Sequence, residues 1–173
     1  ASLAFGLVAV SDWCQRHQFG VVHWLGLPVW GIAVTGILSM DFFGGWLVHW
    51  VEHKSPLFWR IHIVHHADNN VDVSSGLRHH PLEALNRWVF FMAGVFIMGL
   101  PVYAVLMGQT MMSMFTMFTH ANIRLPEKLD RALSWVLVSP NMHKVHHHWK
   151  QPYTDSNYGT ALSIWDRMLG TFK

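Results

Sequence analysis

The sequence predicts an all-α fold, a membrane-embedded helical bundle beneath a smaller cap of short helices and loops. Three observations carry that prediction. Hydrophobic residues make up 51% of the 173 residues and charged residues only 13%, against about 25% charged in an average soluble domain. The 12 Lys and Arg are unevenly spread. None lies between His17 and His53 or between Trp88 and Ile123, while four fall in Lys54–Arg87 and seven in Arg124–Lys173. Two apolar blocks thus alternate with two polar ones. The 10 Trp and 10 Met also suit a chain in contact with lipid, where amphipathic rings gather at the interface.

The elements follow in order. The chain opens with Ala1-Ser2 inside an apolar stretch, Leu3–Val10, which reads as the remainder of a first membrane helix whose beginning is missing. The length suits one domain, residues 1–173. Gly26-Leu27-Pro28 then marks a helix start, because proline suits the first helical turn. From there to Val51 the run exceeds the about 20 residues needed to span a bilayer and contains one charge, Asp41. Trp88–Thr119 comprises 32 residues without a charge, with plausible breaks at Leu100-Pro101 and Gly108-Gln109. Its flanks are alike in Arg and His, so an even number of crossings is required and a helical hairpin fits best. Each arm is short, which admits a tilted or re-entrant hairpin. Residues 54–87 and 124–173 form the cap, on the cytoplasmic side by the positive-inside rule.

A single Cys among 173 residues excludes a disulfide framework and any Cys-based zinc or iron–sulfur site. The pI near 8.9 does not indicate nucleic acid, since the basic residues form no binding stripe.

Histidine is the unusual residue. There are 14, and 12 lie from position 49 onward. His49 and His53 are i, i+4; His62, His65 and His66 are i, i+3, i+4; His143, His146 and His147 repeat that spacing. Residues three and four apart share a helix face, so each group aims its imidazoles one way and three helices can converge. The eight rings are too many for one tetrahedral zinc and suit two metals with positions left open. His80 and His120 complete the set. His17 and His23 read as ordinary packed residues, and His79 and His148 as neighbours of ligands. His49-Trp50-Val51-Glu52-His53 also matches the H-x-x-E-H zinc-protease pattern, which leaves the other two groups unexplained.

With these motifs the chain resembles the fatty acid hydroxylase/sterol desaturase superfamily, most strongly over 41–173. The family's H-x-x-x-H box matches His49 and His53, and its H-x-x-H-H boxes match His62–His66 and His143–His147. The stretch Val71–Glu83 resembles the family's linker, with His80 at the usual histidine, and His120-Ala121-Asn122, Asn157-Tyr158-Gly159 and Trp165–Thr171 also fit. Arg124 stands where the 2-hydroxylase members have a further His, so the chain looks closer to the sterol-desaturase branch.

The resemblance implies a membrane enzyme with two iron ions that uses O2 and two external electrons to hydroxylate or desaturate a lipid. An all-imidazole shell fits such oxidising chemistry, in which thiolates would be lost. Candidate groups to orient the ligands are Asp41, Glu52, Asp68, Asp72, Glu83, Asn122 and Asp155, with Asp41 equally suited to helix packing. Candidate slot residues are Trp46, Phe91, Phe115 and Phe118. No nucleotide, haem-attachment or iron–sulfur motif is present, so electrons would come from a separate reductase or small carrier, with Lys144 and Lys150 as a possible docking site. A di-zinc hydrolase on the same ligands and a non-catalytic metal scaffold are the competing readings.

Overall fold

The computed structural model describes residues 2–68 and 70–173, and helices with irregular connections account for the regular structure in them. Helix α1 spans Ser2–Arg16, followed by the short α2, Val21–Trp24. Helix α3, Val29–Asp41, continues through a π-helical stretch, Phe42–Leu47, into α4, Val48–Lys54, as one rod of 26 residues. Pro28 sits at its N-terminal boundary, where its missing N–H costs nothing. Helix α5 is Pro56–His62, α6 Pro81–Met98, α7 Val102–Thr119, α8 Glu127–Leu133, α9 Pro140–His146 and α10 Ile164–Met168.

The expected hairpin is α6 and α7, turning at Gly99, which adopts φ +71° at the C-cap of α6, and at Pro101 before α7. Two details differ from the sequence reading. Helix α6 begins seven residues before Trp88, because His80 caps its first turn and Arg87 pairs with both Glu83 and Glu52. Gly108-Gln109 is no break either. A Cβ on Gly108 would lie 2.6 Å from the Met40 side chain, and one on Gly36 would lie 2.7 Å from Ala104. These glycines let α3 and α7 approach closely, the small-residue packing expected where apolar contact alone gives little preference.

Val22, Met40, Val95, Leu100, Val105 and Met112 form the packed centre of the bundle. Outward from it, Val29, Trp30 and Val34 on α3, Leu85, Val89 and Phe96 on α6 and Leu106, Met107, Met114 and Met117 on α7 are exposed. An apolar belt of this extent belongs in lipid rather than water. The rods Val29–Lys54 and Pro81–Met98 are each long and apolar enough to cross a bilayer.

The C-terminal segment straps the cap to this bundle. Asp41, wholly buried, accepts the Ala161 N–H (2.9 Å), the Leu162 N–H (3.0 Å) and the Trp165 indole N–H (2.9 Å). Asp166 accepts from the Trp46 indole (3.0 Å) and from the Tyr158 and Gly159 N–H groups (both 2.8 Å). Leu137 and Leu162 meet in a single antiparallel bridge. Asp41 is therefore a clasp between the rod and the strap, and it touches no histidine.

Candidate metal centre

The rod's last turns, α5 with the turn after it, the end of α7 and α9 meet beneath the strap. Each local fold is legible in its own residues. Ser139 caps α9 by accepting the Met142 N–H at 3.1 Å, with Pro140 in the first helical position. The π stretch ends directly before α4, and π-helical turns are frequent at functional sites.

Nine imidazoles converge there. One nitrogen each from His49, His53, His62, His66 and His146 forms one group within 4.8 Å, and one each from His65, His120, His143 and His147 forms a second. The groups adjoin, with the His66 and His147 rings stacked at 4.4 Å and the His65 and His66 rings edge to face at 5.4 Å. Tyr158, wholly buried, packs its ring against His53 at 5.2 Å and against His49 and His146 at 5.8 Å.

The hydrogen bonds fix which nitrogen faces inward. Nδ1 of His49 lies 2.8 Å from the Tyr158 carbonyl, that of His65 3.1 Å from Ser75 O, that of His120 2.8 Å from Thr116 O and that of His146 2.7 Å from Ser156 O. A carbonyl only accepts, so each of these Nδ1 atoms carries the proton and each Nε2 presents a lone pair. His62 and His53 donate to Glu83 (2.9 Å) and Asp155 (3.3 Å) in the same sense. Nε2 of His65 and of His120 then stand 3.2 Å apart with no proton between them. The buried Nε2 atoms of His49, His53 and His62 have no partner at all. Lone pairs turned on one another in a dry site repel unless a cation lies among them, so the donor set fits metal ions. Imidazoles held through Nδ1 by carbonyls and carboxylates are the usual arrangement around a metal.

Burial, reinforced by neighbouring imidazoles, keeps the rings outside the membrane helices neutral. It pushes His62 and His147 down to about 3 and His120 to about 4, and His65, His66, His143 and His146 well below the ordinary range. The hydrogen bond from His53 holds Asp155 down to about 2, helped by Lys54.

His80, the tenth expected ligand, is not brought in. It caps α6, its Nδ1 accepting the Leu82 N–H at 3.2 Å. A capping imidazole must face its own helix start, which turns it from the centre. His79 is the nearer of the two, stacked on His65 at 4.7 Å with its nitrogens on Glu83 and Gly76 O. His148 is exposed and His17 lies on the surface against Trp13, so His17 is not a core residue.

Among the expected orienting groups, Glu52, Glu83 and Asp155 are in place. Glu52 accepts from Arg87 (2.7 Å) and Asn86 (3.1 Å), with His62 at 3.5 Å. Both its oxygens are thus occupied, which does not suit a protease base. Asp68 acts at one remove, binding Arg78 and the Ser75 hydroxyl in the turn whose carbonyl receives His65. Asp72 caps that turn from the exposed side, and Asn122 is exposed and reaches no histidine. Of the expected slot residues, Phe91 borders a cavity that Arg87, Thr116 and Thr160 also line. Trp46 is packed between Phe42 and Trp50 with its indole on Asp166, and Phe115 and Phe118 meet edge to face at 6.1 Å. Arg87 and the four backbone carbonyls were not foreseen. An Arg at the boundary of the uncharged block gave a weak signal, and carbonyls give none.

A sequence model described as fatty acid hydroxylase matches residues 33–171. The chain belongs to the fatty acid hydroxylase family. Alkylglycerol monooxygenase of Xenopus tropicalis is 32% identical over 98% of the chain and 37% of its own length. Ornithine lipid hydroxylase of Rhizobium tropici is 26% identical over 98% of the chain and 49% of its own length. Human lathosterol oxidase is 24% identical over 81% and 46%. The chain therefore spans less than half of each of these relatives. No solved structure matches it.

Proposed function

We propose that this chain is the metal-holding part of a membrane enzyme that uses two iron ions and O2 to hydroxylate or desaturate a lipid. The observation that carries the reading is the set of inward-facing imidazole lone pairs, two groups of them in contact. His49, His53, His62, His66 and His146 would hold one iron, and His65, His120, His143 and His147 the other. The named relatives are a monooxygenase, a hydroxylase and an oxidase, each of a lipid.

Bound iron would supply the oxidising power for an unactivated C–H bond. Hydroxylation takes R–H, O2, two electrons and two protons to R–OH and water, and desaturation of H–C–C–H takes the same inputs to C=C and two waters. The electrons come from a separate reductase or small carrier at the cap, which faces the cytoplasm in this reading. The protein's own residues orient and exclude. Glu83 holds His62 and His79, carbonyls lock four further rings, and the buried Tyr158 ring covers His49, His53 and His146. Neutral imidazoles keep their lone pairs for metal at neutral pH.

Protein purified anaerobically with iron supplied should carry about two irons per chain, and reductant-dependent O2 uptake should require them. His65→Ala and His146→Ala should each lower the iron content. Tightly held zinc that iron does not displace would favour the hydrolase, and no bound metal would sink both.

A further inference from the structure

Three cavities lie in series from the histidines into the bundle. The innermost, ≈60 Å³, touches His49, His65, His120 and His143 and is bordered by Arg87, Thr116 and Thr160. The same Arg87, Thr116 and Thr160 border the next, ≈280 Å³, which runs past Gly44, Phe91 and Met112 to Gln109. Gln109 borders the third, ≈80 Å³, walled otherwise mainly by Leu7, Val8, Val102, Val105 and Leu106.

The first two cavities are bordered by polar and apolar groups alike, and the third is nearly all hydrocarbon. At the histidine end Thr116, Thr160 and Arg87 border the space, and the hydrogen bonds of the described residues include none from the two hydroxyls or from Nη1 of Arg87. Gln109, Ser113 and Thr116 form one stripe of α7, at i, i+4 and i+7, on a helix otherwise suited to lipid. Polar groups in such a helix are costly unless something polar meets them. The far end offers hydrocarbon. Arg87 brings no free positive charge to the space, because Glu52 and Glu83 already hold its guanidinium at 2.7 and 3.1 Å.

We propose that the substrate is an amphiphile with an uncharged, oxygen-bearing end, and that this end enters first. Its oxygens bond to Thr116, Thr160 and Arg87 beside the histidines, and its chain runs back past Phe91 and Met112 toward Val105 and Leu106. The C–H bonds offered to the centre are then those within a few bonds of the polar end, not those in mid-chain. Gly44 lets the Phe91 ring lie directly against the rod at the wall of the second cavity, since a Cβ there would meet that ring at 2.1 Å. The consequence for reaction position rests on the proposed oxidase; the orientation of the bound lipid does not.

Photolabelling tests the orientation without metal, O2 or turnover. The whole protein in nanodiscs is irradiated with two 1-monoacylglycerols, one with a diazirine at the second acyl carbon and one at the chain end. The first should label peptides carrying Thr116 or Thr160, the second those carrying Leu7 or Val102–Leu106, and excess monoolein should abolish both. The reverse pattern, even labelling of both regions, or labelling that monoolein does not compete would overturn the proposal. Thr160→Val should weaken monoolein competition about threefold to tenfold, the worth of one hydrogen bond, and Thr160→Ser should restore it. Lysophosphatidic acid, the anionic counterpart, should compete less well than monoolein, and equal competition would overturn the uncharged end. Iron content and O2 uptake, measured separately, report the fate of the oxidase reading.

Discussion

Glu83 gathers more of the site than any single histidine does. Its Oε1 accepts from His62 (2.9 Å), His79 (2.8 Å) and Nε of Arg87 (3.1 Å), and it is wholly buried. Glu83→Gln keeps the shape and loses the charge, its amide oxygen standing in for Oε1 and its NH2 group taking the place of Oε2, which has no hydrogen-bond partner. Loss of a group that orients a ligand typically costs tenfold to a hundredfold in metal affinity, so iron retention against a chelator should fall by about that range with helical content unchanged. Unchanged retention would reduce Glu83 to a packing role. Arg87 answers a different question, because it joins Glu52 on the rod to Glu83 on α6. Arg87→Met strands two buried carboxylates, and removing one partner of a buried pair costs about 3–5 kcal/mol. Denaturation of the metal-free protein should show that loss, with Arg87→Lys restoring only part, since an ammonium lacks the fork that reaches both carboxylates.

At the scale of elements, close approach decides which helices meet. A Cβ on Gly36 would stand 2.8 Å from the Ala104 backbone oxygen as well as 2.7 Å from its Cβ. Backbone cannot step aside, so Gly36→Ala should destabilise by about 1–3 kcal/mol, the usual cost of overpacking. A thermal midpoint equal to that of the parent would mean that α3 and α7 separate freely. The helices themselves were readable in advance. Hydropathy marked the rod and hairpin, and the i, i+4 and i, i+3, i+4 spacings marked the three histidine groups, because both depend on neighbours along one chain. What escaped the reading depends on distant partners. Asp41 and the strap are 120 residues apart, and the π stretch Phe42–Leu47 leaves the apolar pattern intact. His79 and His80 are adjacent, and only the capping of α6 determines that His80 turns away. The carbonyls of Ser75, Thr116, Ser156 and Tyr158 hold four rings, yet a carbonyl is common to every residue and leaves no mark in a sequence.

For the whole molecule the consequence is a particular dependence on pH. Folding takes His62 and His147 down to about 3 and His120 to about 4, with His65, His66, His143 and His146 also well below their ordinary values, all chiefly through burial. Unfolded histidines titrate near 6.5. Above that value neither state binds these protons, and folding keeps its full stability. Below it the unfolded chain takes up protons that the folded chain refuses, so stability falls as pH drops from about 6.5 toward the folded values near 4 and 3. The thermal midpoint of metal-free protein should therefore be level above neutrality and fall steeply between about pH 6.5 and 4. Asp155, held at about 2 by His53, adds a further loss only below the ordinary aspartate value of about 4. The same shifts make metal uptake nearly proton-neutral. Nine ordinary imidazoles would together release roughly two protons at pH 7, each being about a quarter protonated there. In weakly buffered solution, iron binding to the folded chain should release far fewer than that. A release near two would mean that the imidazoles are solvated and charged before metal arrives, and that the dry, preformed centre does not exist in solution.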